Sequence, residues 1–153
     1  MPVPTICSIS GACIGAGWFL ALAHDNRFMA RTDDTFVQTP EINLGVPIPY
    51  ATMELLKSKV DVTTLTEFIY GEKISAMDCY EKRLAETVDR GLLEEISEIK
   101  AKHYVERNIN RDILTKIKHI TFKDVHDECA KLIYGEESVI PSIPPKELLY
   151  AKL

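Results

Sequence analysis

The sequence predicts an α/β fold in which a front half of short strands, glycine turns and helices is followed by a helical region. Before residue 50, short β-branched and apolar runs alternate with turns rich in glycine, aspartate and proline. After residue 50, apolar residues recur mostly at helical spacing. The 153 residues are enough for one domain with a sizeable core, and a charged content of 27% is ordinary for a folded chain.

The front half is predicted to contain three strands and one helix. The first strand lies within residues 4–10, where two isoleucines and a cysteine mark a short buried run. After the glycines, an unbroken series of strong helix formers predicts a helix over residues 16–25. Residues 26–31 and 35–38 are predicted as the second and third strands. Three short strands are too few for a good sheet by themselves, which indicates that part of the fold precedes Met1.

The remainder is predicted to be mostly helical, after a shaped loop over residues 40–49. Helices are expected over residues 50–57, over 62–70 with Gly71 as the stop, and over 75–83 with Ser75 as the N-cap. Later helices are predicted at Leu92, Ile96, Ile99 and His103, at Ile113, Ile117 and Ile120, and over 125–134.

Composition excludes several classes of function. A formal charge of −5 argues against an extended nucleic-acid surface, which needs a basic face. No stretch approaches the roughly 20 apolar residues of a membrane span. The four cysteines form no C-x-x-C pair and have no partnered histidines. We therefore expect reduced thiols in a reducing compartment, with no metal site.

The glycine-rich turn before the first helix has three interpretations. A dinucleotide-binding G-x-G-x-x-G motif starting at Gly15 needs a small residue where bulky Leu20 stands. An oxyanion hole would use the unpaired N–H groups of a helix N-terminus, with small residues that let a carbonyl approach. A plain structural turn is the third. Leu20 counts against the first interpretation, and spacing alone leaves the other two open.

Three segments of the chain occur in an order that is typical of one enzyme family. G-A-C-I-G-A-G at 11–17 is followed by an apolar helix that closes on Asp25. T-P-E-I-N-L-G follows at 39–45, and Y-G-E-K-I-S-A at 70–76. Together they resemble the glycine turn, the P-E-x-x-L-G segment and the T-G-x-x-I-x-A segment of the enoyl-CoA hydratase/isomerase (crotonase) family. Several motifs in the correct order are more specific than any one alone.

The resemblance implies a partial crotonase-type ββα spiral over residues 1–90. A helical C-terminal region over 91–137 and an extended tail over 138–153 would complete the chain. Family members are substantially longer, and their first half supplies the other oxyanion N–H and most of the surface that grips coenzyme A. That half is expected to be absent from this chain.

The resemblance also implies the residues of the site. The backbone N–H of Ala16 would be one of two donors to the thioester oxygen, and Gly15 and Gly17 would keep the turn open. Hydratases of the family carry two glutamates that activate water. Phe19 stands at the first of these positions, and Glu41 at the second.

One carboxylate suits a double-bond shift better than water addition. Glu41 would take a proton from C2 of a 3-enoyl thioester and return it at C4, as in a Δ3,Δ2-enoyl-CoA isomerase of fatty-acid β-oxidation. Trp18 and Phe19 would line a dry substrate pocket that discourages hydration. No cofactor is expected, because the CoA thioester is itself the substrate. Asp25, which closes the helix, is interpreted as a cap or structural acid.

Other interpretations of the resemblance remain open. The chain is alternatively a truncated, non-catalytic module that binds acyl-CoA or serves assembly, or an enoyl-CoA hydratase-like enzyme. A hydrolase or dehalogenase of the same fold is only weakly excluded. The family commonly forms trimers, so a homotrimer is expected. The final residues Ala151, Lys152 and Leu153 resemble the S-K-L peroxisomal address, which predicts an import receptor as a partner and a peroxisomal location.

Overall fold

Two three-stranded sheets organise the chain in a computed structural model, which describes residues 1–134. The first sheet has the order β1-β3-β6 and is parallel throughout. Its strands are Ile6–Ile9 (β1), Asn26–Ala30 (β3) and Glu86–Val88 (β6). The second sheet has the order β2-β4-β5, with β2 parallel and β5 antiparallel to the central strand. Its strands are Cys13–Ile14 (β2), Phe36–Gln38 (β4) and Ile74–Ser75 (β5).

Eight α-helices connect and cover these strands within the described part of the chain. The front helices are Ala16–Leu22 (α1), Glu41–Leu44 (α2), Tyr50–Lys59 (α3), Val62–Ile69 (α4) and Ala76–Glu81 (α5). A 3-10 turn at Arg90–Leu92 leads to the back helices Leu93–Glu106 (α6), Arg111–Thr121 (α7) and Lys123–Tyr134 (α8).

The main core lies behind α1, between the two sheets and the helices α3 and α4. Its fully buried side chains include Trp18, Leu22, Met29, Val37, Leu56 and Phe68. A second, smaller core joins the first sheet to α6, through Phe28, Ala30 and Leu93. The main core fixes α1 in place, since its buried residues face inward while Ala16, Gly17, Leu20 and Ala23 remain exposed.

The predicted helix stops and caps are confirmed where the structure describes them. Gly71 follows α4 with φ +73°, the left-handed conformation expected after a helix end. The Ser75 side chain accepts from the backbone N–H of Asp78, and the Asp78 carboxylate accepts from the N–H of Ser75. This capping box begins α5 as predicted.

The first helix is shorter than predicted, because it ends at Leu22 and not at Asp25. Asp25 is drawn instead to the start of β1. Its N–H donates to the Thr5 carbonyl at 3.2 Å, and its carboxylate accepts from the Thr5 N–H at 2.7 Å. These contacts take Asp25 out of the helix and confirm it as a structural acid.

Several short elements were not predicted from the sequence. They are the strands β2, β5 and β6 and the single-turn helix α2. Elements of two to four residues show no periodicity, so apolar spacing does not reveal them. Helix α2 falls in the segment predicted as a loop, between Pro40 at its N-cap and Gly45 in the left-handed conformation at its C-cap.

Residues 135–153 lie outside the described residues, and with them the predicted extended tail and its final tripeptide. Within residues 1–134, no helix is long and apolar enough to cross a membrane. The same residues contain no group of three or more His, Cys, Asp or Glu side chains arranged to hold a metal ion. All four cysteines are free thiols.

Candidate active site

The second sheet brings the two predicted site segments together. Strands β2 and β4 are parallel, with Ile14 opposite Gln38. The Gly15 N–H extends this pairing by donating to the Gln38 carbonyl at 2.9 Å. The carboxyl ends of neighbouring parallel strands meet at one edge of a sheet, where α/β proteins commonly bind ligands. Helices α1 and α2 therefore begin side by side at that edge.

The carboxylate of Glu41 lies against the glycine turn. A methyl group built on Gly15 would stand 3.2 Å from Oε1 of Glu41. Gly15 also has φ +54°, which other residues rarely adopt. A glycine at this position satisfies both the backbone conformation and the close approach of the acid.

The second oxygen of Glu41, Oε2, is buried and has no hydrogen-bond partner among residues 1–134. Buried polar atoms are normally bonded, so an unbonded one marks a strained or functional position. A carboxylate oxygen that no internal donor occupies keeps its lone pairs available for a proton.

The N-terminus of α1 presents free backbone donors beside this acid. The first N–H bonded within the helix is that of Phe19, which donates to the Gly15 carbonyl at 3.1 Å. The N–H groups of Ala16, Gly17 and Trp18 precede it and have no intrahelical acceptor. Gly15 supplies no side-chain cap. The structure thus brings together Glu41 and the backbone of Ala16, the two predicted catalytic groups.

The other predicted site residues divide into two groups. Gly17 is exposed, and a methyl group built on it would meet no atom within 4 Å. Trp18 is fully buried with its ring centroid 5.6 Å from that of Phe68, and Phe19 is 7% exposed. Both aromatic side chains belong to the main core. Their role as pocket walls stays a prediction, whereas their packing behind the glycine turn is established.

Hydrogen bonds from two neighbouring side chains attach the Glu41 segment to the turn after α4. Gln38 Nε2 donates to the Gly71 carbonyl at 2.8 Å, and the fully buried Thr39 hydroxyl donates to the Phe68 carbonyl. The Gly71 N–H donates to that same Phe68 carbonyl at 3.0 Å. We call this set, Gln38, Thr39, Phe68 and Gly71, the base clamp.

Gly71 also packs closely under α2. A methyl group built on it would lie 2.8 Å from Nδ2 of Asn43, 3.1 Å from Cγ2 of Ile42 and 3.4 Å from the Thr39 carbonyl oxygen. The sequence analysis identified Gly71 as a helix stop and as part of a family motif, but it missed the contact of Gly71 with the segment that carries Glu41. No feature of the sequence reveals this contact, because it depends on how closely the two segments pack in the folded chain.

A second polar cluster lies beyond the other end of α1. The Asp25 carboxylate accepts from Lys118 Nζ at 2.6 Å and from the Thr5 N–H and hydroxyl. Burial raises the pKa of Asp25, but the hydrogen bonds from Lys118 and Thr5 together outweigh it and hold the pKa below its usual value. Asp25 is therefore a charged structural residue that ties α7 to the front of the chain.

A comparison with models of known protein families finds no match to this chain. Over 69 residues, 45% of its length, the chain is 33% identical to the fatty acid oxidation complex subunit alpha of Shewanella halifaxensis. The matched stretch is 10% of that protein.

Solved structures match over most of the described chain. A probable enoyl-CoA hydratase from Mycobacterium tuberculosis superposes with a TM-score of 0.75 at 17% identity, covering 88% of this chain and 58% of the other. The chain has the crotonase fold. A second structure of the same M. tuberculosis protein, described there as an enoyl-CoA isomerase, gives a TM-score of 0.75 at 16% identity, covering 87% of this chain and 60% of the other.

A monofunctional enoyl-CoA isomerase from M. smegmatis gives a TM-score of 0.65 at 23% identity, with coverages of 80% and 57%. Proteins described as hydratases and as isomerases thus share the crotonase fold, so the fold does not choose between these reactions. The chain spans about three fifths of the length of these solved structures and a tenth of the curated relative.

Proposed function

We propose that this chain carries the catalytic acid and one oxyanion donor of a Δ3,Δ2-enoyl-CoA isomerase. Glu41 removes a proton from C2 of a 3-enoyl thioester, and the electron pair of the broken C–H bond is delocalised over the thioester carbonyl and the 3,4 double bond as a dienolate. The Ala16 N–H holds the negative charge that develops on the thioester oxygen. Glu41 then returns its proton to C4, which gives the trans-2-enoyl product without consuming water.

One observation carries this proposal: the Glu41 carboxylate lies against Gly15, immediately before the free N–H groups of α1, with Oε2 unbonded. An acid and an anion-stabilising donor side by side are the two groups that proton transfer next to a carbonyl requires. The base clamp supports the proposal, because two hydrogen bonds and a close glycine contact restrict the segment that carries the acid.

Isomerisation is preferred over hydration because of Phe19. In the resemblance described above, water addition uses a second glutamate at this position. Phe19 offers no carboxylate, and its ring is packed in the core. A single acid can move a proton along an acyl chain but lacks the partner that positions water.

The substrate, the assembly and the cellular location are proposed from the family resemblance and from the final tripeptide. The substrate is an acyl-CoA thioester and no resident cofactor takes part. A homotrimer assembled through the back helices and a peroxisomal location reached through an import receptor complete the proposal. The peroxisomal location is proposed from the tripeptide Ala151, Lys152 and Leu153. A fluorescent protein that ends in this tail and stays in the cytosol would contradict it.

The test is an assay of the conversion of a 3-enoyl-CoA to the conjugated 2-enoyl-CoA, in which the absorbance of the product is measured over time. We expect Glu41→Gln to lower turnover by roughly 10²- to 10⁴-fold, the usual contribution of a positioned acid or base. Glu72→Gln, at an exposed glutamate just after the base clamp, is the matched control and should retain full turnover. Near-normal turnover in Glu41→Gln would contradict the assignment.

A second candidate function is acyl-CoA binding without catalysis. The free N–H groups at the start of α1 favour it, because they can bind a thioester oxygen whether or not Glu41 transfers a proton. Titration calorimetry with a saturated acyl-CoA separates the two candidates. Binding without any isomerisation by the unaltered chain favours the second, whereas formation of a 3-hydroxyacyl product from 2-enoyl-CoA would indicate a hydratase.

A further inference from the structure

A cavity of about 410 Å³ lies at the opposite end of α1 from Glu41. It is lined by α1, α3 and the helices α7 and α8, and this volume falls in the range of small-molecule sites. Its walls are mainly apolar, with Leu20 and Ala23 from α1, Leu55 from α3, and Phe122 and Val125 from the α7–α8 region. We call it the α1–α8 cavity.

Two lysines but only one carboxylate line this cavity among the described residues. Lys118 is bonded to Asp25 at 2.6 Å, and Thr5 occupies the same carboxylate with two further hydrogen bonds. Lys59 is half-buried and forms no ion pair with any carboxylate of residues 1–134. Its ammonium group lies instead over the Phe122 ring, 4.4 Å from the centroid.

The surroundings of Lys59 are unfavourable for a cation. Burial lowers the pKa of Lys59, and the charges of Arg27 and Lys118 lower it further against the opposing effect of Asp25. His24 and His126 also line the cavity. Buried charges in proteins are normally paired. A half-buried ammonium that has no carboxylate partner and faces an apolar cleft makes that cleft a candidate binding site.

We propose that the α1–α8 cavity binds a medium-chain carboxylate, with its carboxylate on Lys59 and its alkyl chain against the apolar wall. One negative charge would pair with the ammonium of Lys59, the lining lysine that has no carboxylate partner among residues 1–134. A phosphate group carries nearly twice that charge and needs more donors than a single lysine provides. The apolar wall supplies the driving force for an alkyl chain, and Phe122 next to Lys59 places the two kinds of contact together.

This site is separate from the proposed catalytic site. Helix α1 has seven residues, so its ends are about 10 Å apart. The proposed substrate is a thioester, which has no free carboxylate at its acyl end. The inference does not rest on the proposed function, and a binding experiment tests it without any enzymatic assay.

The experiment is titration calorimetry of the full chain with decanoate, decanol and butyrate, each below its aggregation limit. We expect decanoate to bind, decanol to bind roughly tenfold or more weakly because it lacks the charge, and butyrate not to bind because it lacks the chain. Lys59→Gln should weaken decanoate binding by a similar factor and abolish the preference over decanol. Lys57→Gln is the matched control, since Lys57 is on the same helix but exposed and paired with Glu54 at 2.6 Å.

A third variant guards against a folding defect in Lys59→Gln. Leu20 is 66% exposed and lines the cavity, so Leu20→Trp should fill the cavity and reduce decanoate binding without disturbing the core. Circular dichroism checks that each variant is folded. Equal affinity for decanoate and decanol, equal losses in Lys57→Gln and Lys59→Gln, or no decanoate binding by the unaltered chain would each overturn the proposal.

Discussion

The front of the chain and its three back helices use apolar residues differently. The largest fully buried side chains all belong to the front, and include Trp18, Phe28, Phe68, Leu22 and Met29. In contrast, α7 buries no residue at all, although its apolar residues recur at regular helical spacing. Its isoleucines remain largely exposed: Ile113 at 51%, Ile117 at 55% and Ile120 at 76%.

The difference shows that an amphipathic pattern predicts a helix but not what covers its apolar face. In the front half, α1, α3, α4 and α5 each place buried apolar residues in the main core. In α7, the same kind of pattern faces outward in the described chain. Stability within a single copy should therefore depend strongly on the front and weakly on the back.

Truncation of a leucine in each region gives the largest expected contrast. Leu22→Ala removes a fully buried side chain of α1 and should lower the free energy of unfolding by about 2–5 kcal/mol. Leu132→Ala, in α8 at 55% exposure, should change it by no more than about 0.5 kcal/mol. Urea unfolding followed by circular dichroism measures both. Comparable losses in the two variants would contradict the contrast between the regions.

Glycines in the left-handed conformation give the second contrast, within the front itself. Gly45 and Gly71 have φ of +68° and +73°, so alanine at either position carries a similar backbone strain of about 1–2 kcal/mol. A methyl group at Gly45 meets nothing within 4 Å, whereas at Gly71 it meets Asn43 and Ile42. We expect Gly71→Ala to be less stable than Gly45→Ala by about 1 kcal/mol or more, because α2 must shift.

The same pair of variants also tests the base clamp. Under the proposed function, Gly71→Ala should reduce isomerase turnover more than Gly45→Ala, because the displaced segment carries Glu41. Equal losses of stability and of turnover in the two variants would mean that only the backbone conformation matters at Gly71.

Much of this architecture follows from the sequence, and the exceptions have physical causes. The capping box at Ser75 and the stop at Gly71 were predictable because they depend on a few adjacent residues. The adjacency of Glu41 and Gly15 was expected only through the order of the family motifs. The base clamp was not predictable, because it joins Thr39 to Phe68, which are 29 positions apart. The acceptor is a backbone carbonyl, which every residue has, so the sequence does not indicate it.

The front and the back are joined by a charged contact, which gives a pH-dependent prediction. Lys118 of α7 donates to Asp25 and to the Val3 carbonyl. Because the pKa of Asp25 is lower in the folded chain than in the unfolded chain, its contribution is complete above the ordinary aspartate value, about 3.9. The contribution is lost as pH falls through the folded pKa.

Asp25→Asn should therefore reduce stability near neutral pH by about 1–2 kcal/mol and flatten its decline in acid. Thermal unfolding between neutral pH and pH 3 measures the effect. Asp89→Asn is the control, because the Arg31–Asp89 pair is exposed on both sides and should contribute under about 1 kcal/mol. An unchanged acid profile in Asp25→Asn would show that Lys118 does not join the two regions energetically.

The smallest expected effect on unfolding is at the exposed face of α7. Ile117→Gln replaces a half-exposed apolar side chain by one of similar length and should change the free energy of unfolding by less than about 0.5 kcal/mol. The same change should weaken self-association if the proposed trimer uses this face, because apolar residues that stay exposed in one copy gain burial only between copies. Sedimentation velocity across a concentration series measures that association. A loss of more than about 2 kcal/mol in dilute protein would mean that Ile117 is packed within a single copy. The apolar face of α7 would then be buried like those of the front helices.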